Sequence, residues 1–325
     1  ALRSFFIFCG TFFNILLSKN KKQNTIVVCD ALNIEHHGYD FKEEFKKHVI
    51  TDFINCYANC KTPNPCIECN RYMKFGAMLR KAQELNCNYI ATGHYAKTEY
   101  SEEYGRWILK KSNAGRKDQS YVLWNIPKDL VEHIVFPLAD FEDKSQIRAI
   151  AAENALKVAN KPDSEDICFV PDGNYKKFLE TNSDIKPKKG KIVNSKGEVL
   201  GEHAGLYNYT IGQRKGLGLS LPAPLYVGKI DPEENEVILV DNESLFKKRV
   251  IVGDFHWING APDMPIAVTC KIRYAHNPAP ALASTYFRDD RALILFDEPQ
   301  RAVTPGQSAV IYSGDKLLGG GVIIG

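Results

Sequence analysis

The chemistry is concentrated in the cysteines. Four of the nine fall close together, Cys56, Cys60, Cys66 and Cys69, and the last two close the stretch Thr62-Pro63-Asn64-Pro65-Cys66-Ile67-Glu68-Cys69-Asn70. A CxxC pair can hold one thiol at a lowered pKa and make it redox-active. Structural zinc asks for four soft ligands, which Cys56 and Cys60 could complete. Three cysteines, Cys66, Cys69 and the distant Cys168, could instead hold an iron–sulfur cluster with one open iron position. Inert buried thiols fit the same spacing.

Other polar clusters accompany them. His94 follows Gly93 at what reads as the C-terminal end of a parallel strand, the edge where open α/β sheets bind ligands. A turn glycine with a capping histidine reads equally well there. Lys117-Asp118-Gln119-Ser120 sets a cation, an anion and an amide in one polar turn, suited to phosphate and base edges or to starting a helix. Tyr209-Thr210-Ile211-Gly212-Gln213-Arg214-Lys215-Gly216-Leu217-Gly218 offers two adjacent cations on a glycine turn, either at a phosphate backbone or on a bare hairpin.

These residues need elements to hold them. Phe41, Phe45, Val49 and Phe53 recur every fourth position, and Cys56 and Cys60 continue the stripe of one amphipathic helix over 40–60. The CxxC then reads as part of an irregular Pro-punctuated loop. Phe75, Met78, Leu79, Ala82 and Leu85 mark a second helix ending near Asn86, and Tyr89-Ile90-Ala91 a strand running into Thr92-Gly93-His94. A helix over 144–153 is expected to bury Ile147, Ile150 and Ala151, with Asn154 as a left-handed cap. Helix–strand alternation argues for a parallel α/β sheet.

Beyond about residue 180 the texture changes. Short strand-like runs punctuated by Gly, Pro and Asp/Asn suggest small β-barrels: 205–211, 225–230, 236–241, 267–274, 292–296 and 308–312. In 267–274, alternation sends Val268, Cys270 and Ile272 to one face and Thr269, Lys271 and Arg273 to the other. A polar segment over 181–191, containing Lys186-Pro187-Lys188-Lys189-Gly190-Lys191, reads as the boundary. The chain thus divides into an α/β domain over 1–178, a small β-rich domain over 179–247 and a β-barrel over 248–325.

Composition bounds the rest. The 325 residues, 44% hydrophobic and 25% charged, have the profile of a globular protein of two or three domains. A net charge of +3 does not itself point to nucleic acid. An odd cysteine count with irregular spacing fits a reducing compartment, so cytoplasm is expected. The apolar run Phe5 to Leu17 is too short to span a bilayer and reads as a buried strand or helix, with a signal-peptide core as the alternative.

In combination the motifs are specific. TPNPCIECNRYMKFG, ATGHYAK, KDQSYVLW, KPDSEDICFVPDGNYKKFL, YTIGQRKGLG and CKIRY resemble the tRNA-specific 2-thiouridylase (MnmA) family, from about Cys29 to the C-terminus. The resemblance implies a PP-loop α/β domain of the adenine nucleotide alpha hydrolase, Rossmann-like kind, a small central domain and a C-terminal β-barrel. It implies an ATP- and Mg-dependent sulfurtransferase acting on the wobble uridine of tRNA, monomeric, without membrane association, and supplied by a cysteine desulfurase or sulfur relay protein. By the same resemblance, Cys168 carries a persulfide and Cys69 is its partner thiol, the two able to end in a disulfide. Asn64, Pro65 and Cys66 match the loop at the target base, and Gly93 an ATP contact. Lys117, Asp118, Gln119, Arg273 and Tyr274 match tRNA contacts.

Two features depart from the family. Its phosphate-cradling SGGxDS loop does not occur, Gly10 being the only glycine before Gly38, and the chain begins with Ala. A truncated or altered N-terminus is expected, with a functionally divergent copy as the alternative. Many members carry Asp where Cys66 stands, and the cysteine keeps the iron–sulfur reading open beside the persulfide one.

Overall fold

The computed structural model describes residues 6–9, 26–156, 167–260, 262, 264–286 and 288–325, with the side chains of 6–9, 288 and 289 outside the description. The expected element over 5–17 therefore lies outside it except for the Phe6–Cys9 backbone, as does the KPDSED stretch over 161–166. The chain forms two compact units. One gathers Ala1–Ile50, Pro65–Asn174 and Asp315–Leu317, and the other Thr51–Asn64, Tyr175–Gly314 and Leu318–Gly325.

The first unit contains β1 (Phe6–Cys9), β2 (Tyr89–Thr92), β3 (Lys97–Ser101), β4 (Arg106–Lys110) and β5 (Ile134–Val135). Strands β1, β2 and β5 form a parallel sheet with β2 in the centre, Ile7 pairing with Ile90 and Ile90 with Ile134. Ile90, Ala91 and Ile134 are buried, as an apolar central strand requires. β3 and β4 form an antiparallel hairpin. Lys110 at its end lies 3.0 Å from both Glu99 and Asp315.

The four-residue stripe is helical, and its geometry is distinctive. Helix Lys42–Phe45 passes through π turns at Lys46–Ile50 into helix Thr51–Ala58. A strict repeat of four drifts around a 3.6-residue helix, and the wider π turns offset that drift. Phe45, Val49, Phe53 and Tyr57 are accordingly all buried. The stripe thus continues through Tyr57, and Cys56 and Cys60 are only half-buried. Cys56 Sγ instead lies 3.9 Å from Asp52 Oδ2, one turn back.

The CxxC is helical rather than irregular. Helix Pro65–Glu68 leads into π turns at Cys69–Ala77 and then helix Met78–Glu84. Proline is suited to a first helical position, where its missing N–H costs nothing, so the residue that reads as a breaker is the start. Asn86, at φ 57°, closes the helix as expected. Leu85, expected on the buried face, is exposed.

Helix Lys144–Glu153 is capped by Asp143, whose carboxylate accepts from Ser145 N at 2.7 Å. The expected burial does not occur: Ile150 is 46% exposed and Ile147 and Ala151 are partly open. The left-handed residue after it is Ala155 (φ 54°), whereas Asn154 at φ −88° uses its amide to donate to Ile150 O.

In the second unit, Phe53 and Tyr57 pack on helix Tyr175–Asn182, Phe53 edge-on to Phe178 at 6.2 Å and Tyr57 stacked on Tyr175 at 4.9 Å. The central domain is a four-stranded sheet of β6 (Gly190–Asn194), β7 (Val199–His203), β8 (Tyr226–Asp231) and β9 (Glu236–Val240), in the order β7-β6-β9-β8. Ile192, Val227, Val237 and Leu239 fill its core with Tyr209 and Leu217. The expected strand over 205–211 is a 3₁₀ turn, Leu206–Asn208, followed by glycine turns.

The C-terminal region closes into a six-stranded barrel. Its strands are β10 (Phe246–Trp257), β11 (Ile266–Lys271), β12 (Ala279–Tyr286), β13 (Arg288–Arg301), β14 (Ser308–Ser313) and β15 (Lys316–Ile323), in the order β10-β13-β12-β11-β14-β15 with β15 returning to β10. Closure leaves no exposed strand edge. Val250, Val252, Val268, Cys270, Ile294, Phe296 and Ile311 alternate inward to form the core. β11 ends at Lys271, so Arg273 and Tyr274 occupy the turn after it.

The barrel's Thr304–Gln307 turn also holds the loop that precedes the CxxC. Thr62 N donates to Pro305 O at 3.0 Å, and Gln307 Nε2 donates to Thr62 O and Pro63 O at 3.0 and 3.2 Å. Gly306 sits at φ 89°, where a Cβ would stand 2.8 Å from Thr62 N and 2.9 Å from Thr62 O. Only glycine meets both conditions.

Candidate functional site

The first unit supports the two expected thiols from one place. Helix Lys42–Phe45 packs against the turns that begin at Cys69. The Phe45 ring meets Phe169 edge-on at 5.7 Å, and Phe169 is the residue after Cys168. Phe45 and Phe169 are both buried, as is Cys69, whereas Cys168 is exposed on its turn. Asn70, next to Cys69, is buried and donates to Val122 O at 2.8 Å, which fixes the start of the π stretch.

Cys66 is exposed, one turn before Cys69. Desolvation of its sulfur pushes the thiol pKa up, while the ammonium of Lys74 pulls it down. Lys74 is half-buried, and its Nζ donates to His94 Nε2 at 3.2 Å. A lysine ammonium cannot accept, so Nε2 is the unprotonated nitrogen of a neutral imidazole. Nδ1–H then donates to Thr92 Oγ1 at 2.7 Å. Phe75 and Phe136 flank the imidazole, which is 7% exposed, and burial first and Lys74 second hold its pKa well below the ordinary histidine value.

Gly93 sits inside this arrangement, exposed between buried Thr92 and His94 at the C-terminal end of β2. Among the described residues a Cβ there would meet only Leu138 Cδ1, at 3.9 Å, so the backbone is open to an approaching group. Neither Lys74 nor Thr92 stood out in the sequence. The signal that could have found Lys74 is its helical register with Cys66 and Cys69, which is visible only once the CxxC is placed on a helix.

The polar turn over 117–120 folds inward. Asp118 is buried, accepting from Ser112 N at 2.9 Å and Ser120 Oγ at 2.6 Å. Gln119 exchanges two bonds with the Tyr95 backbone, accepting at Oε1 (3.0 Å) and donating from its own N–H (2.7 Å). Lys117 alone of the three is exposed. The segment is a pair of short 3₁₀ turns, Gly115–Lys117 and Ser120–Leu123, rather than the start of an α-helix.

In the second unit, Arg273 Nη1 donates to Arg301 O at 3.0 Å, and Tyr274 is exposed with the Lys271 ammonium 5.6 Å from its ring centre. Thr269, Lys271 and Arg273 are half-buried, so the basic face expected over 267–274 is less open than strict alternation implies. Gln213 organises the glycine turn, accepting from Thr210 N and donating to Lys215 O, both at 3.0 Å, and leaves Arg214 and Lys215 exposed.

The metal readings require ligands to converge. Among the described residues no three His, Cys, Asp or Glu side chains are grouped to hold a metal ion. Within the first unit, the set Cys66–Cys69–Cys168 is therefore not assembled as a ligand shell. No helix among the described residues is long and apolar enough to cross a membrane.

Comparison with known proteins matches the chain along most of its length. Residues 14–172 match the tRNA methyl transferase HUP domain, 176–241 the tRNA methyl transferase PRC-barrel domain and 247–323 the aminomethyltransferase β-barrel domain. A tRNA-specific 2-thiouridylase MnmA of Clostridioides difficile (strain 630) is 45% identical over 299 residues, covering 91% of this chain and 82% of the relative. The proteins of that name from Acetivibrio thermocellus and Halothermothrix orenii are 46% and 42% identical over 297 and 298 residues, with the same 91% and 82% coverage. With three successive domains matched and identity at this level across nine-tenths of its length, the chain belongs to the tRNA-specific 2-thiouridylase MnmA family.

Proposed function

We propose that the chain transfers sulfur to C2 of the wobble uridine of tRNA at the expense of ATP. The observation that carries this reading is the common support of two cysteine segments, one beginning at Cys69 and one turning at Cys168, on helix Lys42–Phe45. A urea-like C2 carbonyl is a poor electrophile, so two thiols and an activated oxygen are what the chemistry requires.

The steps balance as follows. The uridine O2 attacks the α-phosphorus of ATP and releases pyrophosphate. The outer sulfur of a Cys168 persulfide, having given its proton to solvent, attacks C2, and the C2–O bond breaks to release AMP. The Cys69 thiolate then attacks Cys168 Sγ, and the electrons of the broken S–S bond stay on the sulfur now attached to C2. The Cys69–Cys168 disulfide that remains is reopened by an external thiol. A cysteine desulfurase or sulfur relay protein supplies the persulfide.

Asn64, Pro65 and Cys66 take up the target base, which must leave its stack to expose C2. The open backbone at Gly93 suits ATP, whose phosphates bring Mg. Asp118 and Gln119 shape the turn that presents Lys117 to tRNA, and Arg273 and Tyr274 act similarly in their own turn. The reading further takes the chain to be a cytoplasmic monomer with domain boundaries near 178 and 247.

The test is mass spectrometry of tRNA incubated with protein, ATP, Mg and a persulfide donor. Cys69→Ser and Cys168→Ser should each abolish 2-thiouridine formation, and normal yield from both would sink the reading. A second reading, which the exposed cations Lys117, Arg214 and Lys215 favour, is a tRNA-binding protein that does not activate its substrate. That reading expects salt-dependent tRNA binding without ATP affinity, so a saturable ATP titration rules it out.

A further inference from the structure

Lys74 poses an electrostatic problem. It is half-buried, its Nζ rests on the imidazole of His94, and among the described residues no carboxylate pairs with it. A buried or partly buried charge is normally compensated, because removing it from water is costly. The partner here is neutral by construction: Nε2 accepts from the ammonium and Nδ1–H is committed to Thr92 Oγ1. His94 thus fixes the position of the charge without cancelling it. Phe75 and Phe136 exclude water on either side of the imidazole.

The surroundings indicate what completes the pair. The ammonium is held by His94, next to the exposed Gly93 backbone at the C-terminal edge of a parallel sheet, the edge where such sheets take phosphorylated ligands. Two Nζ–H groups remain after the bond to His94, enough for two oxygens of one anion. In the same segment, the ammonium's field also reaches Cys66.

We propose that Lys74, positioned by neutral His94 and through it by Thr92, is a phosphate-binding residue whose charge the structure leaves for a phosphoryl group of the substrates. The proposal rests on the sulfur-transfer reading for its substrates, which offer that group in two places: the phosphates of ATP and the backbone phosphates of tRNA. Lysine serves either as a point charge.

The experiment measures binding of ATP by calorimetry and of tRNA by filter retention over a salt series, for the full chain and its Lys74→Met, Lys74→Arg, His94→Gln and His94→Leu variants. A charge-assisted contact of this kind predicts about a 10- to 100-fold loss of affinity in Lys74→Met. Loss confined to ATP assigns the phosphate to the nucleotide. Loss confined to tRNA, with the salt slope reduced by about one, assigns it to the RNA backbone. Lys74→Arg should recover most of the lost affinity, and His94→Gln, which keeps an acceptor, should bind better than His94→Leu. Melting curves identify variants that bind poorly because they unfold, and Lys74→Arg then carries the comparison. If Lys74→Met binds both ATP and tRNA within twofold of the parent, or the parent binds neither, the proposal is overturned. If Lys74→Met loses affinity but the parent makes no 2-thiouridine, the sulfur-transfer reading fails and the phosphate site stands.

Discussion

The C-terminal barrel and the cysteine-bearing helices of the α/β unit solve opposite problems. The barrel is regular: inward-facing Val, Ile, Phe and Cys alternate with outward residues, the six strands close, and β15 returns to β10. The helices are irregular where they matter, passing through π turns at Lys46–Ile50 and Cys69–Ala77. Regular hydrogen bonding fixes a core, whereas a π turn rotates the side chains that follow it and re-aims them. Cys69 and Lys74, to which the two proposals assign chemistry, lie in the second π stretch, and such turns tend to occur at functional sites.

The sharpest way to break the comparison is at the thiols. Cys168→Ser should reduce thiolation to background with the melting temperature unchanged, because an exposed turn residue carries little packing. A shared loss of activity and stability would mean that Cys168 is structural.

Ile311→Ala in the barrel should do the reverse, lowering stability by about 2–5 kcal/mol in denaturant titration, since the side chain is fully buried and leaves a cavity. Gly306→Val tests the one barrel turn that reaches beyond packing. Left-handed backbone and contacts under 3.0 Å should together cost about 3 kcal/mol and release the Thr62–Pro63 loop, read as faster amide exchange at Thr62. Asp118→Ala should cost about 1–3 kcal/mol by stranding Ser112 N and Ser120 Oγ.

The smallest expected effect is a pH dependence. His94 is neutral in the fold, with its pKa held below the ordinary value by burial first and then by Lys74. The unfolded chain therefore binds the extra proton first as pH falls. The contribution to stability is complete above the ordinary histidine value of about 6.5 and is lost progressively below it. His94→Gln should flatten the stability profile in that acidic range, and an unchanged profile would show that the histidine does not carry it.

Much of the architecture was legible because it rests on periodicity. Alternation found three of the six barrel strands, β11, β13 and β14, and missed β10, β12 and β15, while the change of texture along the chain marked the passage from α/β to β architecture. The helix stripe was found at the right spacing but extended to the wrong residues. Cys56 and Cys60 follow a 3.6-residue continuation, whereas the π turns keep a repeat of four and bury Tyr57. The CxxC was misplaced onto a loop because its prolines read as breakers, although Pro65 is a helix start. The run over 205–211 reads as a strand from its composition, yet Leu206–Asn208 closes a 3₁₀ turn within it and the positive-φ Gly212, Gly216 and Gly218 continue the chain in turns.

What the sequence by itself determined is the family and the fold class, since both are written in local motifs and in the spacing of apolar residues. Tertiary structure alone decided which polar residues act outward and which hold the frame. Asp118 and Gln119 turn inward to satisfy buried backbone groups, and Lys117 does not. Lys74 meets His94 across twenty residues, a pairing that no local pattern encodes because it depends on how a helix lies over the end of a strand. Burial then sets the protonation state of His94, and with it a Lys74 charge that no carboxylate among the described residues balances.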